Sequence, residues 1–487
     1  MQLSTAALYS TAQIRAAERQ AIDRLGIPGR ELMRRAGAAL FRHIRQRWPE
    51  AGELTVFCGA GNNGGDGYEV ARLAIEAGCR VNVYGLADPE RLPEDALSAY
   101  RDFVQAGGCV SGFEPGRSTI PGIVVDALFG IGLSRPVAAA YLPAIAAINA
   151  AAGPVVAVDV PSGLQADTGC IMGEAVAAEL TVTFIGLKQG LFTGAAADCR
   201  GEVVCDNLQI GEVLEKLEPA CRLLTGVGVP KRPRSAHKGQ FGHVLLIGGN
   251  QGYSGAIRLA AEAALRAGAG LVSVATRVAH SGLVNIARPE LMCRAAEQAD
   301  DLDELLEKAT VVVIGPGLGR DAWAQAMFDR ALAAGKPSVV DADGLNLLAL
   351  RNCRRDDWVL TPHPGEAARL LNCDTRQVGT DRFAAVSALQ QRYGGVALLK
   401  GAGTLIGDGS GCYVVAAGNP GMASGGMGDV LAGLIGGLIA QGFPLDKAAL
   451  AGAQVHAAAA DSLAAEFGER GLLAGDLPPR IRELLNR

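Results

Sequence analysis

The chain has 487 residues, more than one ordinary hydrophobic core holds, which predicts two or three domains. Its 45 basic and 50 acidic residues give a net charge of -5, so no overall positive field favours nucleic acid. A content of 49% hydrophobic and 20% charged residues, with 65 glycines, is typical of α/β enzymes.

The cellular location is predicted from patterns that the sequence lacks. The eleven cysteines are scattered without a C-x-x-C pair, which indicates reduced thiols in the cytoplasm rather than disulfides. No signal-peptide pattern opens the chain, and the longest apolar run, 430–440, is too short to cross a bilayer. We therefore expect a cytoplasmic protein with no membrane partner.

The first half alternates apolar runs with helical patterns, beginning with a helix predicted over residues 11–25. Thr11 is the expected N-cap of that helix. The apolar side chains that share one of its faces are Ile14, Ala17, Ala21 and Ile22. The predicted strands that follow are 54–58, 80–84, 123–127, 155–160 and 181–185, with a helix at 66–77 between the first two. This alternation predicts a Rossmann-like parallel sheet between two helix layers, with ligands at the carboxyl ends of its strands.

A glycine-rich loop, "GAGNNGGDG" (59–67), follows the first of these strands. Gly59, Gly61 and Gly64 satisfy the G-x-G-x-x-G pattern of nicotinamide-dependent dehydrogenases, which alone is weak evidence. A dehydrogenase also needs an acidic residue at the end of the second strand, and the one candidate, Asp88, lies beyond a predicted turn. Polar residues occupy the loop itself, namely Asn62, Asn63 and Asp66. The loop therefore indicates a dinucleotide ligand without hydride transfer.

Two more strand ends bring carboxylates to the same rim of the predicted sheet. Asp126 precedes an arginine-bearing loop in "VVDALFGIGLSRPV", and Asp159 precedes Ser162 in "VVAVDVPSGL". Oxygen donors from Asn63, Asp126 and Ser162 suit an alkali or alkaline-earth cation. Asp159 is then a candidate acid/base, and Arg135 with the loop amides is a candidate phosphate site. Either aspartate alone is equally well explained as a cap, whereas the three segments together favour a site.

The segments "NNGGDG", "DALFGIGLSRPV" and "VDVPSGL" resemble, in that order, the motifs of NAD(P)H-hydrate epimerases, over roughly residues 8–210. The resemblance implies hydrated NADH or NADPH as substrate and a bound potassium ion. It assigns Asp159 to the substrate and to the chemistry. The residues implied to hold the ion are Asn63, Asp126 and Ser162. Those implied to contact the dinucleotide are Asn62, Asn63, Gly64, Gly65, Asp66, Gly130, Ile131, Gly132, Leu133, Ser134, Arg135 and Pro136.

A segment with glycine, proline and clustered charge near 223–235 marks the expected domain boundary. We therefore assign residues 1–222 to one domain and 223–487 to a second. The predicted strands of the second domain are 244–247, 271–275, 311–314, 338–340, 358–360 and 396–399. The halves share no detectable repeat, which indicates a fusion rather than a duplication.

The most informative glycine-rich element of the second half is "NPGMASGGMGDVLAGLIGGLIA". It places Gly425, Gly426 and Gly428 before Asp429 at the start of an apolar helix. Amides at a helix N-terminus bind phosphate, and an adjacent carboxylate can accept the proton of a hydroxyl that is being phosphorylated. The element therefore predicts phosphoryl transfer with Asp429 as the base.

"GGMGD" resembles the anion hole of ribokinase-like kinases. With "HKGQFGHVLLIGG", "GPGLG", "TPHPGE" and "KGAGT", the second half is more specifically similar to the NAD(P)H-hydrate dehydratases of that superfamily, over roughly residues 225–485. The resemblance implies a ribokinase-like α/β/α domain. The residues that it assigns to the hydrate are Ala256, Gly317, His363 and Asp429. Those that it assigns to the adenine nucleotide, ADP with ATP as the alternative, are Lys400, Gly401, Ala402, Gly403, Thr404 and Gly428. It assigns Glu366 to magnesium, although Glu366 alone is as well explained as a helix N-terminal charge and His363 as a turn residue.

The two resemblances together imply a bifunctional repair enzyme. One half interconverts the R and S hydrates, and the other dehydrates the S hydrate with ADP, which yields AMP and phosphate. One alternative is a ribokinase-like small-molecule kinase fused to a nucleotide-binding module, and another makes the first half a non-catalytic sensor. The expected partners are small-molecule substrates and further copies of the chain in a homo-oligomer, with no nucleic acid.

Overall fold

The computed structural model describes residues 1–116, 120–351 and 353–486, so the predicted end of the second domain, Arg487, lies outside the described residues. The chain forms two compact units, Ala7–Cys221 and Met1–Ala6 with Arg222–Arg487. The predicted first domain consists of residues 1–222. Residues 1–6 join the second unit because strand β1 (Gln2–Leu8) pairs with β9 (Cys221–Gly228) at the edge of the second sheet.

A parallel sheet, seven-stranded in the described part of the chain, forms the centre of the first unit. Its strands are β2 (Glu53–Cys58), β3 (Arg80–Gly85), β4 (Val110–Ser111), β5 (Ile123–Ala127), β6 (Val155–Val158), β7 (Leu180–Phe184) and β8 (Glu202–Asp206). They lie in the order β4-β3-β2-β5-β6-β7-β8. From β2 the chain adds strands toward one edge of the sheet (β3, β4), and from β5 it adds them toward the other edge (β6, β7, β8). The connections after β2 and β5 therefore diverge and leave a crevice at the carboxyl ends of these two strands.

Helices cover both faces of this sheet, which confirms the predicted three-layer, Rossmann-like arrangement. The helices are α1 (Thr11–Leu25), α2 (Gly29–Arg47), α3 (Asn62–Glu76), α4 (Glu94–Gln105), α5 (Leu142–Asn149), α6 (Ala196–Cys199) and α7 (Gly211–Leu214). One core packs helices α1, α2, α3 and α4 against one face of the sheet, which carries Val56 and Val125. A second core packs Ile145 of α5 against the other face, which carries Phe57 and Val124.

The second sheet has eleven strands in the described residues, in the order β1-β9-β18-β17-β16-β15-β14-β13-β10-β11-β12. The strands not yet given are β10 (His243–Ile247), β11 (Leu271–Thr276), β12 (Met292–Ala295), β13 (Val311–Ile314), β14 (Ser338–Val340), β15 (Trp358–Leu360), β16 (Val396–Leu399), β17 (Thr404–Gly407) and β18 (Cys412–Val415). The strands from β12 across to β16 are parallel, whereas β16, β17 and β18 pair antiparallel.

The helices of the second unit are α8 (Ser254–Ala267), α9 (Val278–Ser281), α10 (Asp303–Lys308), α11 (Ala322–Ala333), α12 (Ala342–Leu348), α13 (Pro364–Leu371), α14 (Thr375–Thr380), α15 (Arg382–Tyr393), α16 (Met427–Ala440), α17 (Leu445–Phe467) and α18 (Leu477–Leu484). A large apolar core joins α8, α16, α17 and α18 to the sheet. The small residues of α16 permit this packing, since a Cβ at Gly433 would lie 1.9 Å from the carbonyl oxygen of Ala260 in α8.

The predicted N-terminal helix has the expected bounds, but its cap was assigned wrongly. Ser10 is the N-cap, because its hydroxyl accepts a bond from the Gln13 amide at 3.2 Å while the Gln13 side chain accepts from the Ser10 amide. The Thr11 hydroxyl instead donates to Asp167 at 2.7 Å. Ile22 was also misplaced, since it is 38% exposed whereas the other three predicted core residues are buried.

Two further observations concern cysteines and apolar helices. All eleven cysteines lie in the described ranges and are free thiols. Within those ranges no helix has the length and apolar content needed to cross a membrane.

Candidate active sites

A cavity of about 680 Å³ lies at the carboxyl end of the first sheet. It is bounded by the start of α3, the loop after β5 and the ends of β6 and β7. The predicted residues that line it are Asn62, Asn63, Asp66, Gly130, Ile131, Gly132, Leu133, Ser134, Arg135 and Asp159. Pro136, Gly64 and Gly65 lie outside the lining. Gly64 and Gly65 are buried in α3, where a Cβ on Gly64 would lie 2.2 Å from the carbonyl oxygen of Gly59.

Asp159 sits in the left-handed region, at φ 65°, immediately beyond β6. Its Oδ1 accepts hydrogen bonds from the Thr183 hydroxyl at 3.1 Å, the Phe184 amide at 3.0 Å and the Lys188 ammonium. A residue other than glycine at positive φ carries strain that the surrounding structure must hold in place. Because all three donors reach the same oxygen, Oδ2 has no protein partner among the described residues.

Lys188 is the functional candidate that sequence reasoning missed in this unit. Its side chain is fully buried, lines the cavity, and donates to the Thr183 hydroxyl at 2.9 Å and the Phe184 carbonyl at 2.6 Å besides Asp159. A buried lysine that is fully hydrogen-bonded to a carboxylate and two oxygens is rare outside functional or structural ion pairs. The available signal was its position, four residues after strand β7.

Two further carboxyl groups, those of Asp66 and Glu18, line this end of the cavity. Burial raises the pKa of Asp66 well above its usual value, and the Asp159 charge raises it further. Burial, then Asp159, likewise raises the pKa of Glu18, which projects from α1 into the cavity. Arg15 and the exposed Arg135 line the same cavity, so cationic groups are present for an anionic part of a ligand.

The residues assigned to potassium surround one loop, the connection after β5. Asp126 is fully buried and accepts from the Ser162 hydroxyl at 2.6 Å and the Ser162 amide at 2.7 Å. No lysine, arginine or histidine of the described residues pairs with it, and burial raises the pKa of Asp126 to about 6. Asn63 contributes a buried amide group that has no hydrogen-bond partner, beside Gly130 of the same loop. Exchanging its indistinguishable O and N atoms turns that group into an oxygen ligand. This set fits a cation.

Asp88, the residue that a dehydrogenase would need for a ribose, caps a short 3₁₀ turn through a 3.1 Å bond from the Glu90 amide. It is not among the residues that line the cavity. The structure therefore gives it a local role.

The second site is built around Lys400, directly after β16. Its ammonium lies 2.7 Å from Oδ1 of Asp341 and 3.9 Å from Oε2 of Glu366. A Cβ at Gly428 would lie 3.1 Å from the same ammonium and 3.4 Å from Asp341, so the start of α16 approaches this pair closely. Asp341 is buried, follows β14 directly and was not singled out in the sequence, although a carboxylate at a strand end was the available signal.

Asp429 stands in the first turn of α16, after Gly426 in the left-handed conformation at φ 91°. Burial raises the pKa of Asp429 to about 7, with the Asp341 charge raising it and Lys400 opposing the rise. A carboxyl with a pKa near the working pH is suited to accept and return protons. The structure therefore brings three assigned residues together, namely Lys400, Gly428 and Asp429.

His363 and Glu366 form a reciprocal capping box at the start of α13. The His363 amide donates to Glu366 at 2.8 Å, and the Gly365 amide donates to Nδ1 of His363 at 3.0 Å. Burial raises the pKa of Glu366 to about 7. Since Glu366 already caps the helix and lies beside Lys400, and no group of three His, Cys, Asp or Glu in the described ranges can hold a metal, the residues do not fit a magnesium ion held by the protein alone.

The remaining assigned residues fall in two places. Ala256 and Gly317 are neighbours, because a Cβ on Gly317 would lie 3.2 Å from that of Ala256. Residues 400–403 form the turn between β16 and β17, and Thr404 begins β17. Beneath that turn lies buried Arg382, another residue that sequence reasoning missed, which donates to the carbonyls of Leu399, Lys400 and Gly403 at 3.3 Å each. Burial lowers the pKa of Arg382 to about 10.

Comparison with known proteins matches both units. The family model described as NAD(P)H-hydrate dehydratase matches residues 244–483, and the one described as YjeF-related protein N-terminus matches residues 29–190. The crystal structure of the ADP/ATP-dependent NAD(P)H-hydrate dehydratase from Bacillus subtilis with ATP and Mg²⁺ is 28% identical, with a TM-score of 0.49 over 53% of this chain and 94% of that one.

Relatives extend over nearly the whole chain. The bifunctional NAD(P)H-hydrate repair enzyme of Coxiella burnetii is 52% identical, over 98% of this chain and 99% of its own length. That of Escherichia coli is 46% identical, over 97% of this chain and 93% of its own length. The chain belongs to the family of bifunctional NAD(P)H-hydrate repair enzymes.

Proposed function

We propose that the first unit interconverts the R and S hydrates of NADH and NADPH, and that the second dehydrates the S hydrate with ADP. The observation that carries the proposal is a carboxylate close to a lysine ammonium at each site, namely the buried Asp159 beside Lys188 and the half-buried Asp429 near Lys400. Both lie at the carboxyl ends of parallel strands, where α/β enzymes bind their ligands. The family membership of the chain supports the same pair of activities.

In the first unit, Asp159 is the acid/base. The carbon that bears the hydroxyl is also bonded to the ring nitrogen, so its configuration inverts if the hydroxyl loses its proton, the C–N bond opens to give an aldehyde, and the nitrogen then adds back to the opposite face. Oδ2 of Asp159 is the atom left available to accept that proton and return it. Lys188 holds the carboxylate in position and stabilises its negative charge inside the protein. The residues proposed to bind the dinucleotide are Asn62 to Asp66 and Gly130 to Pro136, with Arg135 toward the phosphates.

Asn63, Asp126 and Ser162 would hold a potassium ion beside this loop. The ion would supply a fixed positive charge next to the dinucleotide and would neutralise the buried carboxylate of Asp126. The protein residues themselves shape the loop, since the Phe129 amide donates to the Ser162 hydroxyl at 2.8 Å.

In the second unit, Asp429 takes the proton from the hydroxyl of the hydrate as that oxygen attacks the terminal phosphoryl group of ADP. AMP leaves, and the new phosphate ester then departs as phosphate while the neighbouring carbon loses a proton, which restores the reduced nicotinamide. Amides at the start of α16 and the ammonium of Lys400 stabilise the transferred group. We propose that Lys400 to Thr404 and Gly428 contact the nucleotide, and that Ala256, Gly317 and His363 contact the hydrate. Magnesium would arrive with the nucleotide phosphates.

The test is incubation of the protein with hydrated NADPH and either ADP or ATP. We expect reduced-nicotinamide absorbance to return with one phosphate released per molecule restored. Accumulation of a phosphorylated hydrate, or phosphorylation of another small molecule in its place, would indicate a kinase instead. The faster of the two nucleotides identifies the phosphoryl donor.

A further inference from the structure

Helix α17 carries two buried or half-buried polar side chains that contact the segment ahead of α16. Asp461 accepts from the Gly418 amide through Oδ2 at 2.9 Å and from the Asn419 side chain through Oδ1 at 2.8 Å. Asn419 in turn accepts from the Gly421 amide at 3.0 Å. One carboxylate therefore fixes the first residues of this segment to α17.

His456, on the same helix, contacts the other end of the segment. It is buried and forms a hydrogen bond with the backbone of Met427, the first residue of α16. That bond favours the protonated ring, so the imidazole donates and the Met427 carbonyl accepts. Nε2 has no partner among the described residues, which identifies Nδ1 as the donor. Burial lowers the pKa of His456 to about 4, so the ring is neutral at physiological pH.

The sequence between these two contacts is rich in glycine and forms only one short 3₁₀ turn, Pro420–Met422. Gly418, Gly421, Gly425 and Gly426 leave the backbone with few side-chain restraints, and Gly418 and Gly426 both adopt positive φ. A Cβ at Gly425 would meet nothing within 4 Å. The segment nevertheless leads directly into Gly428 and Asp429, whose positions relative to the substrate must be set closely for catalysis.

We propose that His456 and Asp461 are positioning residues for the phosphoryl transfer, which fix the two ends of segment 418–427 and thereby the first turn of α16. The inference rests on the proposed dehydratase function. Neither side chain touches the reacting groups; each acts through the backbone that it holds.

Three variants test the two contacts. His456→Leu removes the donor, whereas His456→Asn keeps an N–H where Nδ1 stands, and Asp461→Asn exchanges one accepting oxygen for a donor. We expect His456→Leu and Asp461→Asn to lower kcat for dehydration by about tenfold or more, the scale of a misplaced catalytic group. His456→Asn should stay within threefold of the parent, the KM for nucleotide should hold in all three, and epimerisation by the other unit should be unchanged.

Two matched controls separate positioning from general stability. His243→Asn alters another buried histidine of the second unit, and Glu466→Gln alters another α17 carboxylate, which pairs with Arg480 at 2.6 Å. Both should keep kcat. The proposal is overturned if His456→Leu and Asp461→Asn keep the parent kcat, if His456→Asn fails to restore it, or if the controls lose as much.

A second measurement keeps this result distinct from failure of the proposed function. Amide hydrogen exchange across residues 418–430 should accelerate in His456→Leu and Asp461→Asn but not in the controls. If the parent protein did not dehydrate the hydrate, the proposed function would fail, and the exchange data alone would support or overturn the anchoring of this segment.

Discussion

At the scale of single residues, the first site depends on one ion pair. Lys188 is almost completely buried at the edge of the cavity, and Asp159 holds a strained backbone conformation beside it. Replacing Lys188 with Met keeps the approximate volume but removes all three donated bonds and leaves a carboxylate inside the protein without a counter-charge. We expect epimerisation to fall by about 10²-fold or more, the lower end of what a general acid/base contributes.

The measurement is chiral separation of the hydrates after a timed incubation with Lys188→Met. Lys216→Met, a change of an exposed lysine in the same unit, is the control and should be silent. Dehydration of the S hydrate should persist in both. Normal epimerisation by Lys188→Met would remove the pair from the mechanism.

The pKa of Asp429, raised to about 7, leads to one prediction about activity and one about stability. As a base it must be ionised, so the dehydration rate should fall as the pH drops below about 7. A carboxyl whose pKa is higher in the folded protein than in the unfolded chain costs stability above the unfolded pKa, increasingly up to the folded pKa. Asp429→Asn should therefore unfold at a higher temperature than the parent at about pH 8, and show little gain near pH 4, the pKa of an unfolded aspartate.

We expect a gain of a few degrees at pH 8, because about 1 kcal/mol moves the midpoint of a unit of this size by roughly 2–4 °C. Turnover by Asp429→Asn should be lower by about 10²–10⁴-fold, since asparagine is not basic. Scanning calorimetry at the two pH values, with nucleotide titration as a check on folding, measures both. Full turnover, or a loss of stability at pH 8, would show that Asp429 is a cap and not a base.

At the scale of elements, the start of α3 is set by glycines that serve packing. A Cβ on Gly64 would lie 2.2 Å from the Gly59 carbonyl oxygen, which is backbone and has no room to move. Gly64→Ala should destabilise the first unit by about 1–3 kcal/mol, as overpacking does, and displace the residues that line the cavity. The control is Gly52→Ala, at the residue directly before β2. A Cβ there meets nothing within 4 Å, so stability should change by less than about 0.5 kcal/mol. Thermal unfolding of both variants decides the point; equal stabilities would contradict this account of the glycine.

The strands and the start of α3 show which elements can be predicted from the sequence and which cannot. Eleven strands were predicted to within two residues at each end because they are mainly apolar runs, such as Val311–Ile314. Helix α3 begins at Asn62, four residues before the predicted start, because glycine and asparagine have low helix propensity and tertiary packing overrides it. The strands that were not predicted are β1, β4, β8, β9, β12, β17 and β18. Strand β1, for example, pairs with β9, which lies more than two hundred residues away in the chain.

The candidate sites show a similar division. Motif residues such as Asp126 and Asp159 were placed correctly at strand ends and line or adjoin the cavity. Lys188 and Asp341 were missed because neither stands in a glycine-rich motif, and the burial of each depends on a partner distant in sequence, Asp159 and Lys400. A partner of this kind is visible only once the fold is known.

At the scale of the whole molecule, the two units carry separate activities in one chain. Each unit has its own sheet and core, so a change at one site should leave the other intact. The cytoplasmic location and the homo-oligomer stay predictions. A dehydratase that accepts only the S hydrate would leave the R hydrate unrepaired, which explains why both activities share a chain.

The most direct test is recovery of NADPH from an equal mixture of its R and S hydrates with ADP present. The parent protein should restore all of it, Asp429→Asn none, and Asp159→Asn only the half that began as the S hydrate. Adding the Asp429→Asn protein to the stalled Asp159→Asn reaction should then complete the recovery, because each variant retains the site that the other lacks. Complete recovery by Asp159→Asn at the parent rate, or a mixture of the two variants that still stalls, would contradict the division of labour between the units.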